Sequence, residues 1–342
     1  MLKRFRWAFF LPFVLTACTH QVQNNSPSSL SLLKVKGPSI VDTSGNPVVL
    51  RGLNICYPAQ LRQEGCWSES LFAQMSSWGA KLVRVPIDPD TYRRFGKEGT
   101  FALLDQAVAW SKKYGMYVIV DWHSIGNPIQ GIFQDPWAES MKTTPAEMKE
   151  FWEATAKRYK NEPVVAFYEI FNEPASIHWK GGRLSWAEWR DLADSVIDVI
   201  YKQNPRAIPV VGGLDWAYDL KGVAAEPLRN RGVVFAAHPY PGHVPQPWEE
   251  KWERDFGYLA KKVPVMLTEF GFDPIDQVMP SVYKADEDYG RRILAFAEAR
   301  GMSWTAFVFC FSPGWPMQLF KDENYTPTES GAFFKGELLK HR

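Results

Sequence analysis

Glu173 and Glu269 each stand at the end of an apolar run of strand length, and in this 342-residue sequence they are the acids best placed to do chemistry. The first run is Val164-Val-Ala-Phe-Tyr-Glu-Ile-Phe-Asn172-Glu173-Pro174, and the second is Val263-Pro-Val-Met-Leu-Thr-Glu269-Phe-Gly271. Val, Phe, Tyr and Ile suit a strand buried on both faces. Pro174 cannot donate to a strand ladder, so the first strand should stop there, leaving Asn172 and Glu173 at its C-terminal tip. One glutamate at a strand end is usually a solvated charge. Two of them on separate strand tips are the minimum apparatus for hydrolysing a glycosidic bond, one to protonate the leaving oxygen and one to attack or to activate water.

Positioning two such tips side by side needs a sheet whose strands all run the same way. From residue 48 onward, apolar strands alternate with amphipathic helices. The strands fall at 48–55, 80–86, 116–122, 164–172, 207–212, 232–238, 263–269 and 303–310. Helices are expected near 68–78, 101–114, 145–160, 185–203, 248–260, 286–300 and 329–340, with a short one between 212 and 232. Ser68, Thr144 and Ser185 precede helical stretches as start signals. Alternation of this kind implies a parallel sheet with right-handed crossovers. Eight strands predict a single (β/α)8 TIM barrel; a doubly wound sheet is the alternative, but no Gly-x-Gly-x-x-Gly follows any strand.

The connections are lopsided. Helix-to-strand links such as Tyr114-Gly115 and Arg300-Gly301 are tight, whereas strand-to-helix links such as 123–144 and 311–328 are long. Long ordered loops on one face of a compact domain usually carry function, and in a barrel that face is the one the strand tips point to. Loops and glutamates thus share an end.

Read in order, the tips are Val83-Arg84-Val85-Pro86, Asp121-Trp122-His123, Asn172-Glu173, Ala237-His238-Pro239-Tyr240 and Thr268-Glu269-Phe270-Gly271. With Leu50-Arg51-Gly52-Leu53-Asn54 on the first strand, this set resembles glycoside hydrolase family 5, the cellulase-type retaining glycosidases, over nearly the whole of residues 32–342. The resemblance implies Glu173 as general acid/base and Glu269 as nucleophile. It implies Arg84 and Tyr240 as the groups that keep Glu269 ionised, Asn172 as a partner of the sugar 2-hydroxyl, and His123 and His238 as partners of sugar hydroxyls or of the acids. In that family the eighth strand commonly ends in a tryptophan beneath the sugar, and Phe309 is expected to take that place here. Trp122, Trp137 and Trp179 are expected among the cleft aromatics, with Trp216, Trp248 and Trp315 as further candidates, two or three of the six lining the cleft. Glu169 shares strand parity with Glu173 and reads as a buried structural charge, paired with Arg51. Asp286-Glu287-Asp288 reads as the acidic first turn of a helix.

The implied reaction is retaining hydrolysis of a β-linked polysaccharide, β-1,4-glucan first and β-mannan second, with no cofactor and no metal. A barrel that only binds polysaccharide is the reading from a different class. Formal charge is +1, from 39 Lys+Arg against 38 Asp+Glu, and it becomes −2 when Lys3, Arg4 and Arg6 are set aside. A nearly neutral chain with no basic stripe argues against nucleic acid as a partner. Those three cations precede an apolar core at Trp7–Val14, too short for an ordinary membrane span, and then Leu15-Thr16-Ala17-Cys18. This resembles the lipobox of bacterial lipoproteins. It implies a signal peptide at 1–17, a lipidated Cys18, a polar tether over 18–31, and a monomer held on the outer membrane of the cell envelope through the lipid bilayer. Among the other cysteines, a disulfide between Cys56 and Cys66 would close a short loop, with Cys310 a buried small hydrophobe.

Overall fold

The structure, a computed structural model, describes residues 30–342 apart from 136–137, 277–278 and 313–314. The expected apolar runs form β1 (Arg51–Ile55), β2 (Leu82–Ile87), β3 (Tyr117–Trp122), β4 (Val165–Glu169), β5 (Ile208–Gly212), β6 (Val234–Ala236), β7 (Val265–Phe270) and β8 (Ser303–Phe309). They pair in parallel in chain order, and β8 returns to β1 through Trp304 opposite Arg51, so the barrel closes. The doubly wound alternative is excluded by this closure. Between the strands lie α1 (Glu69–Ser77), α2 (Pro89–Lys113), α3 (Pro145–Tyr159), α4 (Trp186–Gln203), α5 (Lys221–Ala225), α6 (Trp248–Asp255) and α7 (Glu287–Glu298), and α8 (Glu329–Leu339) follows β8.

The start signals act as their chemistry dictates. The Thr144 hydroxyl accepts from the Glu147 backbone N–H, and Ser185 with Glu188 forms a reciprocal capping box. Ser68 stands at its cap position but makes no capping bond; its hydroxyl lies 2.7 Å from Ser70 Oγ instead. α2 begins earlier than the periodicity indicates because two helical segments join across Gly96, whose φ of 64° suits glycine. Asp286 caps α7, and Glu287 and Asp288 fill its acidic first turn as expected.

The barrel interior is apolar at its base and polar toward the strand tips. At the base, Leu82, Ile119, Phe167, Ile208, Val234 and Met266 meet Leu33 and Ile40, which flank and form a hairpin of Lys34–Lys36 and Ser39–Val41 that plugs this end. Outside the strands a larger apolar layer packs the sheet against the helices. Trp122 belongs there, fully buried with its ring 4.5 Å from that of Phe151. Its placement corrects the expectation of a cleft aromatic: Asp121 points into the barrel, so strand alternation sends Trp122 outward.

Barrel closure also decides the disulfide. Cys56 follows β1 and Cys310 follows β8, and these strands are neighbours with Ile55 opposite Phe309. Cys56 and Cys310 are bonded, with Cα atoms 5.8 Å apart, and the half-buried Cys66 is a free thiol. The expected Cys56–Cys66 pair is therefore wrong, because contact in the closed sheet overrides proximity in sequence. Closing a loop of 254 residues stabilises the fold by on the order of 5 kcal/mol on chain-entropy grounds.

Candidate active site

Arg84, 0 % exposed, is the centre of the polar layer. Its guanidinium donates to Glu169 Oε2 (2.6 Å), Asn54 Oδ1 (3.1 Å), Glu269 Oε2 (2.9 Å) and Asn172 Oδ1 (2.7 Å), and Nη2 stands 3.0 Å from Asp121 Oδ2. A planar fork of five donors on one rigid cation can orient groups from several strands at once. Glu169 is the buried structural charge that its parity implies, but its partner is Arg84. Arg51 lies near the base of the barrel and pairs with Glu298 at the end of α7. Arg51 opens β1 at the strand-start end, too far down the barrel to reach Glu169 near the tips.

The two candidate acids meet as the motif requires. One oxygen of Glu173, one of Glu269 and a ring nitrogen of His238 lie within 4.8 Å of one another. Oxygens this close fit the roughly 5–5.5 Å carboxyl separation of retaining enzymes better than the roughly 6.5–9.5 Å of inverting ones. The three atoms have the spacing of a metal site too, but Arg84 already places a cation against this cluster, and every one of the three groups has a hydrogen-bond partner.

Glu269 sits on β7 with Tyr240 donating to Oε1 at 2.7 Å and Arg84 to Oε2. Burial alone would raise its pKa. The nearby positive charges of His238 and Arg84 and the Tyr240 bond outweigh that, and hold it below the ordinary glutamate value. Glu173 is carried by a two-residue strand, Glu173–Pro174, paired with Ile125–Asn127 after β3. Its pKa is pushed up, by burial first and by the Glu269 charge, against the lowering effect of His238. One acid is set to hold a proton and the other to lose it.

The proton arrangement follows from the bonds. The Thr268 hydroxyl donates to Glu169 Oε1 at 2.7 Å, so it accepts from His238 Nε2–H at 2.9 Å. The other ring nitrogen of His238 then faces Glu173 Oε1 at 3.0 Å. Burial disfavours a charged ring, but the Glu269 charge, the Glu169 carboxylate 3.7 Å from Nε2 and the bond to Glu173 bring its pKa up to about 9. His238 as imidazolium donates to Oε1, which leaves the other oxygen of Glu173 for the proton of the reaction.

Asn172 accepts from Arg84 through its oxygen, while its buried Nδ2 has no partner among the described residues and the side chain lines the cleft. It is a donor held ready for a hydroxyl. His123 bonds Asp121 Oδ2 through Nδ1 at 2.7 Å, so its ring orientation is fixed by the acid two residues before it. Asp121, Thr268 and Tyr57 were not singled out by sequence reading; Asp121 could have been found, since it shares the parity of His123.

Aromatic residues flank the acids on both sides. A cavity of about 280 Å³ runs past Tyr57, His123, Glu269, Phe307 and Trp315. Phe307, not Phe309, lines the cleft. Phe309 is fully buried on the outside of the barrel, its ring 4.9 Å from Trp78 and 4.8 Å from Phe320. The pairing of β8 with β1 shifts register between Ala306 and Phe309, which reverses the alternation at the strand's last residues. A second cavity of about 250 Å³ continues past Glu173 to Trp216 and His243. Trp216 sits in three successive left-handed residues, Asp215, Trp216 and Ala217, with φ of 59°, 58° and 56°. Such residues cost roughly 1–2 kcal/mol each, and they persist mainly where a site requires them. Trp179, 62 % exposed, stacks on Trp216 at 6.3 Å. Trp248 is buried against Trp252 and Tyr289, Trp137 lies outside the described residues, and of the six tryptophans Trp216 and Trp315 line the cavities.

The family model for cellulase (glycosyl hydrolase family 5) matches residues 41–312, which takes in Arg84, His123, Asn172, Glu173, His238, Tyr240 and Glu269. The chain belongs to glycosyl hydrolase family 5. Endoglucanase A of Butyrivibrio fibrisolvens is 30% identical over 253 residues, 71% of this chain and 53% of that protein. An endoglucanase of Paenibacillus polymyxa is 27% identical over 293 residues, 72% of each chain. This chain therefore spans about half the length of the first relative and most of the second. Among solved structures, the β-glucanase SdGluc5_26A of Saccharophagus degradans in complex with cellotetraose superposes with a TM-score of 0.87. Its identity is 36%, over 92% of this chain and 94% of that one.

Proposed function

We propose that this chain is a retaining endo-acting β-1,4-glucanase. The observation that carries the reading is the pair Glu173 and Glu269, close enough to work on one bond and driven to opposite protonation states by their neighbours. Glu269 attacks the anomeric carbon as Glu173 passes its proton to the leaving oxygen, giving a glycosyl ester on Glu269. Glu173, now ionised, then takes a proton from water, which attacks the same carbon and frees Glu269. Asn172 Nδ2 meets the sugar 2-hydroxyl, a bond that strengthens as positive charge develops on the ring. Arg84 and Tyr240 hold Glu269 aimed at the anomeric carbon, and the flanking rings take the apolar faces of successive sugars.

Cavities on both sides of Glu173 favour cleavage inside a polymer over trimming of one end. The endoglucanase relatives and the cellotetraose-bound β-glucanase support glucan over mannan. Hydrolysis of a panel of soluble β-1,4-glucan, β-mannan and xylan with product sizing tests this. The expected result is a rapid fall in β-1,4-glucan chain length with a spread of oligosaccharides; hydrolysis of mannan alone, or binding of glucan without cleavage, contradicts it.

We further propose that Cys18 is acylated and holds the protein on the outer membrane. Support comes from the basic, apolar and small-residue order of residues 3–18 and from Thr19 after the cysteine. An acyl chain gains ~0.8 kcal/mol per buried CH₂, and stable anchoring takes more than one chain. Mass spectrometry of the N-terminal peptide is the test, and an unmodified Cys18 contradicts the anchor.

A further inference from the structure

Exposed lysines with no ion-pair partner among the described residues gather at one end of the barrel. Strands begin and helices end at one pole of the barrel, and exposed lysines gather there: Lys34 and Lys36 on the hairpin, Lys81 before β2, Lys160 after α3, Lys202 at the end of α4 and Lys262 before β7. None of these six is in an ion pair among the described residues. Of the acids near this pole, Glu162 pairs with Lys112, Glu298 with Arg51 and Glu253 with Arg300, while Asp42 beside the hairpin bonds Asn46 and pairs with no cation among the described residues. At the opposite pole, around the cleft, the first-turn acids Asp90, Glu147 and Glu287 are themselves ion-paired, with Arg94, Arg93 and Arg291. Lysines at helix ends answer the helix dipole, but Lys34, Lys36 and Lys81 are at no helix end and need another account.

We propose that this basic pole docks on an anionic phospholipid surface and turns the cleft away from it. The chain outside the described residues says what the occupant is. Leu30, the first described residue, packs at the base of the barrel beside this pole, and Cys18 precedes it. Residues 19–29 can span at most about 40 Å, which bounds how far an acylated Cys18 would let this face stand from a bilayer. A molecule tethered at the end where unpaired lysines gather turns that end toward a lipid surface at about −30 mV. The cleft then faces outward, where a polymer can enter. The tethered orientation rests on the acylation proposed above; the affinity of the face does not.

The test is co-sedimentation of the full chain with vesicles of phosphatidylcholine, alone or with about 30% phosphatidylglycerol, at about 50 and 500 mM salt. Wild type is compared with Lys34→Glu/Lys81→Glu/Lys160→Glu and with a cleft-side control, Lys142→Glu/Lys284→Glu/Lys321→Glu. All share residues 1–29, so any lipid affinity of that segment cancels. Wild type and control should prefer anionic vesicles about 10-fold or more at low salt; the base variant should lose that preference while hydrolysing soluble glucan at the wild-type rate. Equal losses in the two variants, no preference in wild type, or base-dependent binding to a soluble acidic polysaccharide with none to vesicles would overturn the proposal. The mass of the N-terminal peptide separates the two readings. Acylation without anionic preference keeps the anchor and removes the face, and preference with an unmodified Cys18 does the reverse.

Discussion

Glu173 and Glu269 hang from strand tips of the same design, yet their surroundings differ in one decisive respect. Around Glu269 the fixed groups are Arg84, permanently charged, and a phenol that donates to the carboxylate. Around Glu173 the hydrogen-bonding side chain is His238, whose own charge depends on pH. The first neighbourhood makes a nucleophile whose pKa is held below the ordinary glutamate value; the second makes an acid whose proton is shared with a titrating ring. Identical side chains thus receive opposite roles from what faces them, which is the way environments assign acid and base within carboxylate pairs generally.

The sharpest break of that comparison is truncation. Glu269→Ala should lower turnover about 10⁴-fold or more on every substrate, since no ester can form. Glu173→Ala should cost about 10²–10⁴-fold on glucan, and far less in the bond-breaking step on an aryl glycoside whose leaving group needs no proton. Equal losses on both substrates would reverse or dissolve the assignment. A milder change sharpens it. Tyr240→Phe removes one donor from Glu269, so its pKa should rise and the acid limb of the kcat/KM profile should move up, with the alkaline limb, set by Glu173 and His238 together, left in place. Movement of the alkaline limb alone would contradict the separation of the two neighbourhoods.

A smaller contrast concerns β8. Phe309→Ala should destabilise by about 3–5 kcal/mol in denaturant melts and leave KM little changed, because it opens a cavity outside the barrel. Phe307→Ala should raise KM with a lesser cost in stability. Smallest is the pH dependence of folding. Glu169, with its pKa lowered to about 2 from 4.5 because Arg84 and His238 outweigh burial, contributes stability that is present above about 4.5 and lost as pH falls toward 2. His238, raised from 6.5 to about 9, contributes stability that is present below 6.5 and lost as pH rises through 9. Thermal melts across pH should therefore peak between about 4.5 and 6.5, and Glu169→Gln should flatten the acid side.

Arg84 was legible from strand parity, whereas Asn172, Glu173, His238 and Glu269 were legible from the motif: Asn172 and Glu173 are consecutive yet both line the cleft, His238 lies beyond the end of β6, and β7 shifts register between Leu267 and Phe270. Illegible were the features set by barrel closure and by irregular strands. Cys56 and Cys310 are neighbours only because β8 meets β1, and the same closure places Arg51 beside Glu298. Phe309 failed because a register shift undid the parity that correctly turns Thr305 inward, where its hydroxyl donates to the Thr268 carbonyl. Trp315 and Tyr57 sit beyond strand ends, where no period applies; only their neighbours in space, at ring distances of 5.2 Å from each other and 5.3 Å from Tyr57 to His123, reveal them. The basic pole escaped notice for the same reason, its lysines being drawn from separate strand starts.

The central claim is that two acids within 4.8 Å act in sequence on one carbon. The most direct measurement is proton NMR of a soluble β-1,4-glucan digest in its first minutes, before mutarotation, reading the anomeric proton of the newly formed reducing end. Two displacements at the same carbon predict the β anomer first, with the α form growing in later; the α anomer appearing first would mean a single displacement by water and would contradict the account.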